Sequence, residues 1–149
     1  MTITYQAIID QLHQRFATLP SLVRLNASGQ NVALLTEEPK TISQCPTLYS
    51  LLEHVTYAPS TPVTISDVVI LSRLVVADAG SDRCEAALMP YVFDLPATIN
   101  GSSEGRRLGN WSAMRRGIAT VERAEAVWVA IGGKQLYRAL DVYTRITLQ

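Results

Sequence analysis

The sequence predicts a single α+β domain in which two α-helices pack on a mainly antiparallel β-sheet, closed by a long C-terminal hairpin. Three stretches predict it. Residues 3–18 place apolar side chains at helical spacing, Val63–Ala77 is a long β-branched run, and Glu125–Gln149 alternates about Gly132-Gly133. The chain has 149 residues, 48% of them hydrophobic. A chain of that size buries roughly two-thirds of its unfolded surface, so one core suffices.

In the first helix Tyr5, Ile8, Ile9, Leu12, Phe16 and Leu19 form the apolar stripe. Thr2 or Thr4 is the cap, and Pro20 lies just past the end. His13 flanks the stripe and reads as a boundary residue. Ser28-Gly29-Gln30-Asn31 reads as a turn, Val32–Leu35 as a short strand and Glu37-Glu38-Pro39-Lys40 as a loop. Residues 45–59 are bracketed by Pro46 and Pro59 and read as a strand, with Leu48, Leu51, Leu52 and Val55 also fitting a helix.

Pro59-Ser60-Thr61-Pro62 reads as a loop before the strand Val63–Ala77. Val68, Ile70, Leu74 and Val76 fall on one face of that strand, and Val63, Ile65, Val69 and Leu71 on the other. Apolar residues on both faces predict helices on one side and a neighbour on the other. After the turn Asp78–Ser81, Asp82 and Glu85 fit a variant capping box. Cys84, Ala87, Leu88, Tyr91, Val92 and Leu95 make the second helical stripe. Pro90 predicts a kink or early stop and Pro96 the end.

Asn100–Gly109, rich in Gly and Ser, reads as a flexible loop, and Trp111–Arg123 as a strand with Gly117 at a bulge or close approach. In the final hairpin Leu136, Leu140, Val142, Ile146 and Leu148 form one apolar face, matched before the turn by Val127, Val129 and Ile131. A two-residue loop at Gly132-Gly133 sets Val129 opposite Leu136 and Trp128 opposite Tyr137. A four-residue loop keeps the same faces together.

Thirteen basic and thirteen acidic residues cancel. A neutral chain does not coat nucleic acid by bulk electrostatics, and copies of it repel one another little. Cys45 and Cys84 stand apart with no histidine at ligand spacing, and read as reduced thiols. The start, MTITYQAIID, has no basic run before an apolar core and reads as no signal peptide. No apolar run reaches the ~20 residues of a membrane helix.

No catalytic, metal-binding or cofactor-binding constellation stands out. Glu53 and His54 are neighbours in a strand and point to opposite faces, so they do not form an acid–base pair. Arg106, Arg107, Arg115 and Arg116 concentrate positive charge, as either a solvated edge or a patch facing an acidic partner or DNA. Trp111, Trp128, Tyr137 and Tyr143 are candidates for core or inter-subunit contact.

The order of these elements resembles the small tail terminator and tail completion proteins of tailed bacteriophages. An amphipathic helix precedes a strand introduced by Cys45-Pro46-Thr47-Leu48; a long strand, a second helix and a loop with Leu108-Gly109 lead into the antiparallel section. Pro90 and Asn110-Trp111 depart from the pattern. The resemblance implies a virion protein without enzymatic activity or cofactor, present in the host cytoplasm during assembly. Its expected form is a ring, typically of six subunits, at the head-proximal end of the tail. Its expected partners are its own copies, the tail tube protein and a head–tail connector or neck protein, with genomic DNA passing through the lumen and no membrane. The alternatives are a connector of the same virion, or a small ligand-binding domain or enzyme.

Overall fold

The computed structural model describes residues 4–112, 115–133 and 135–148, with the backbone alone at 61–63, 110–112 and 115. Helix α1 spans Tyr5–Phe16, and β1 is the two residues Leu34–Leu35. Strands β2 (Thr47–Ala58) and β3 (Thr61–Asp78) form a long hairpin, followed by α2 (Cys84–Asn100) and the short α3 (Ser103–Arg106). Strands β4 (Arg107–Ser112), β5 (Arg115–Ile131) and β6 (Gln135–Leu148) complete the chain. The six strands form one sheet in the order β1-β2-β3-β6-β5-β4. The α+β expectation therefore holds, with a mixed sheet: β1 runs parallel to β2, and the other pairs are antiparallel.

Thr4 caps α1, its hydroxyl accepting from the Ala7 amide at 3.1 Å. The helix buries Ile8, Ile9, Leu12 and Phe16. It touches both ends of the sheet. Tyr5 donates to the Ser50 carbonyl on β2, while Gln11 accepts from the Gly109 amide and Arg15 donates to the Arg107 carbonyl on β4. Those strands are four places apart, roughly 19 Å if the sheet were flat. A helix is only about 10 Å across, so the sheet curls around α1. Gly109 permits the approach, since a Cβ there would lie 2.7 Å from the Gln11 amide nitrogen.

The structure corrects several expectations. Helix α2 runs through Pro90 and Pro96 to Asn100. Each proline removes one intrahelical bond, and the packing of Leu88, Leu95 and Ile99 into the main core holds the helix regardless. Its start has no capping box: the N-cap is Arg83, and the Ser81 hydroxyl accepts the Arg83 amide. The segment read as a flexible loop forms α3 and the start of β4. The strand expected at Trp111–Arg123 is split between β4 and β5, and the latter continues without a break into the final hairpin. Thr61 and Pro62 belong to β3, leaving only Pro59 and Ser60 as the turn.

The largest correction is to the final hairpin. Val129 faces Tyr137, Trp128 faces Arg138, and the strands close at Ile131↔Gln135. This register lies midway between the two anticipated, so the faces are exchanged. A bulge in β5 between Val121 and Arg123 separates this register from that of the first half of the strand. Before it, Ala119 and Val121 pair with Ile146 and Thr144; after it, Glu125, Val127 and Val129 pair with Asp141, Ala139 and Tyr137. One extra residue moves every later side chain to the opposite face. Ala119 and Val121 thus join the main core under the helices with Leu140, Val142 and Ile146. Val127 and Val129 pack instead on a second cluster of Tyr49, Val75, Ile131, Tyr137 and Ala139 on the other side of the sheet.

The neighbour expected over that second face is partly the chain itself. Ile42, in the segment after β1, packs on the cluster. Gly132, at φ +71°, lies so close to this segment that a Cβ would stand 2.6 Å from the Lys40 carbonyl oxygen. Asn100, the last residue of α2, holds the bulge from the helical side. Its amide accepts the Val121 N–H at 2.9 Å and donates to the Val121 carbonyl at 3.0 Å. Replacing Asn100 with alanine removes both bonds and is expected to lower stability by about 1–2 kcal/mol. Urea unfolding measures this, and an unchanged midpoint would show that the bulge stands without the side chain.

Candidate interaction surfaces

The deepest polar contact lies between α1 and the sheet. His13 Nε2 is 2.9 Å from the Ser50 hydroxyl, which is 2.9 Å from the Ser72 hydroxyl. Ser50 and Ser72 are neighbours across β2 and β3. His13 is buried, not a boundary residue, and burial pushes its pKa down to about 4 against a smaller opposing pull from Asp10. A serine beside a neutral imidazole has the makings of nucleophile and base. Here both serines are wholly buried, so no substrate reaches them. The chain of bonds satisfies polar groups inside the core.

The opposite face of the sheet carries a row of paired charges. Arg73 on β3 grips Asp141 on β6 through two bonds of 2.7 and 2.8 Å, and also donates to the Tyr49 hydroxyl. Asp141 raises the affinity of Arg73 for its proton, which stays bound throughout the working range. Arg123 pairs with Glu125 at 2.7 Å and lies 3.9 Å over the Tyr143 ring. Arg145 pairs with Glu122 at the bulge, and Thr147 donates to Asp67. Glu125 and Asp141 face each other across the ladder, each answered by its own arginine. This face is electrically matched, so it offers a polyanion little attraction.

Arginines with no acidic partner among the described residues gather at the β4 end. Arg106 turns back on β5, donating to Thr120 Oγ1 and the Ala119 carbonyl. Arg107 and Arg116 are exposed there, and the side chain of Arg115 lies outside the described residues. Arg15, invisible to a search for local clusters because 92 positions separate it from Arg107, joins them through the fold. Arg15 and Arg107 line a groove of about 700 Å³ with Thr18, Thr98, Ser102 and Glu104. Glu53, at a bulge in β2, and His54 are exposed and far along the sheet order from this edge.

The four aromatic candidates separate. Tyr137 belongs to the second core cluster, and Tyr143 is half-buried beneath Arg123. Trp128 is 49% exposed, its ring 4.8 Å from the Arg138 guanidinium rather than against Tyr137. The side chain of Trp111 lies outside the described residues. Sequence reading passed over Met89 and Phe93, which are 54% and 74% exposed on the outer side of α2. Their i, i+4 spacing opposite the buried stripe was the available signal.

Among the described residues no group of three or more acidic, histidine or cysteine side chains is placed to hold a metal ion, and no helix is long and apolar enough to cross a membrane. A scan against models of known protein families finds no match, and neither does a comparison with curated protein sequences.

Two predictions follow from the buried groups. His13 stays neutral in the fold while an unfolded chain binds its proton near the ordinary pKa of about 6.5. Its contribution is complete above that pH and fades as pH falls toward 4, a loss of about 3 kcal/mol. His13→Gln keeps an amide for Ser50 and should flatten that part of the stability–pH profile; an unchanged slope would assign it to other groups. Asp141→Ala leaves Arg73 without its partner and should cost about 2–4 kcal/mol. The lower part of that range fits an arginine whose side chain keeps 22% exposure. A double-mutant cycle with Arg73→Met separates the pair from its surroundings, and a coupling near zero would refute it.

Proposed function

We propose that this chain is a structural subunit of a tailed-bacteriophage virion. In this reading it forms a ring, of six copies, at the head-proximal end of the tail, ends tube polymerisation and gives the filled head a docking surface. Its partners are other copies of itself, the tail tube protein and a head–tail connector or neck protein. The observation that carries the reading is the order of elements. Helix, Pro-introduced strand, long strand, second helix and antiparallel section follow the layout of the family the sequence resembles.

The surfaces support the same reading. A closed ring needs two unlike contact faces on one subunit, and this fold has dissimilar sides: a helix layer and a charge-matched sheet face. Uncompensated arginines gather at one edge, where they suit a DNA phosphate backbone passing without sequence readout. Neighbouring arginines on this edge need not act alike. Arg106 is engaged with β5, so Arg107 and Arg116 are the residues free to meet an external anion.

Purified chain mixed with its tail tube protein should assemble into rings seen by native mass spectrometry and negative-stain microscopy, and should shorten the tubes. A monomer under both conditions, or tubes of unaltered length, would sink the reading. Arg107→Glu with Arg116→Glu should leave the melting temperature unchanged within about 2 °C, since both are exposed, yet reduce particle yield or DNA retention. Full yield of DNA-filled particles would remove the arginine edge from the account.

A further inference from the structure

We infer that the outer face of α2 is a docking surface for the β2–β3 arm of a second copy of this chain. The face consists of Ala86, Met89, Pro90, Phe93 and Ala97, all of them apolar and all exposed. Between Glu85 and Asn100 the helix has one charged residue, Asp94. A helix apolar on all sides is ordinarily buried on all sides, and a cluster of exposed apolar side chains marks a contact site. Within one chain α2 is covered only on its inner side, where Leu88, Leu95 and Ile99 meet the core.

The same chain carries a surface that fits it. The pairing of β3 with β6 ends at Asp67↔Thr147, and the β2–β3 hairpin continues past that point. From Val55 to Ser66 it contains no charged residue, and Tyr57 is 54% exposed. Thr61 to Ser66 spans roughly 17 Å at strand rise. The stripe from Ala86 to Ala97 spans about 17 Å at helical rise. Lengths agree, and joining two uncharged surfaces strands no ion away from water. The chain's zero net charge adds no long-range repulsion between copies.

Arm and stripe are different surfaces, so each copy gives one and receives the other. Such a head-to-tail contact generates a ring when the rotation closes. The inference rests on the proposed ring for that closure; the contact itself is tested separately. In a Cys45→Ser background, which removes the exposed native thiol, one chain carries Met89→Cys and a second carries Tyr57→Cys. Mild oxidation of the mixture should give a disulfide-linked pair with one chain of each kind, and neither chain alone should cross-link. Phe93→Asp should weaken self-association by about tenfold or more without lowering the melting temperature. Rings that persist in Phe93→Asp with no mixed cross-link would overturn the docking and leave the ring reading standing. Cross-linking of the Met89→Cys chain with itself would replace the arm by a second α2 and also overturn it. A wild-type chain that stays monomeric, with and without tail tube protein, would remove both.

Discussion

One extra residue in β5 sets the layout of this fold. The side-chain period of a strand is two, so a single inserted residue redirects everything beyond it. The bulge at Glu122 lets one 17-residue strand serve two cores, the helix-covered one through Ala119 and Val121 and the opposite one through Val127 and Val129. A bulge leaves backbone groups without ladder partners, and unpaired groups are costly when buried. Asn100 meets that demand with both ends of its amide. The length of α2 follows from the same contact: only a helix that survives two prolines delivers Asn100 to Val121.

Curling follows from a second constraint. Helix α1 is bonded to β2 and to β4, strands that a flat sheet would hold too far apart for it. The helix therefore fills the concave side, and its inward polar group, His13, has to find partners there. Ser50 and Ser72 supply them. The convex side pairs Arg73 with the buried Asp141, and Arg123 and Arg145 with Glu125 and Glu122 nearer to water. The exposed pairs contribute little individually. Their consequence is electrical: the pairs leave little net charge on that side, while at the β4 edge Arg15 from α1 reaches Arg107 from far along the sequence.

These two constraints divide the surface into parts with different uses. The charge-matched face offers a polyanion little attraction, the arginine edge suits an anion, and α2 with the β2–β3 arm presents apolar area that a lone subunit cannot cover. A subunit built to be joined on several sides has that character, and it connects the packing of the sheet to the proposed role in a ring.

Local periodicity was enough to read α1, the existence of α2 and the two-strand C-terminus, because amphipathic spacing is written in neighbouring residues, and β-branched content marked the strands that become β2 and β3. It also located most of the arginines. It could not reveal the bulge, since Glu122 is unremarkable in its own neighbourhood and the insertion is defined only against β6. The same holds for the survival of α2 through Pro90 and Pro96, for the burial of His13 and for the arrival of Arg15 beside Arg107. Each depends on what packs against the residue from far along the chain. The sequence by itself determined where most of the helices and strands lie and that the charges balance; tertiary structure alone decided which face each side chain occupies, because strand parity is a relation between partners and not a property of one strand.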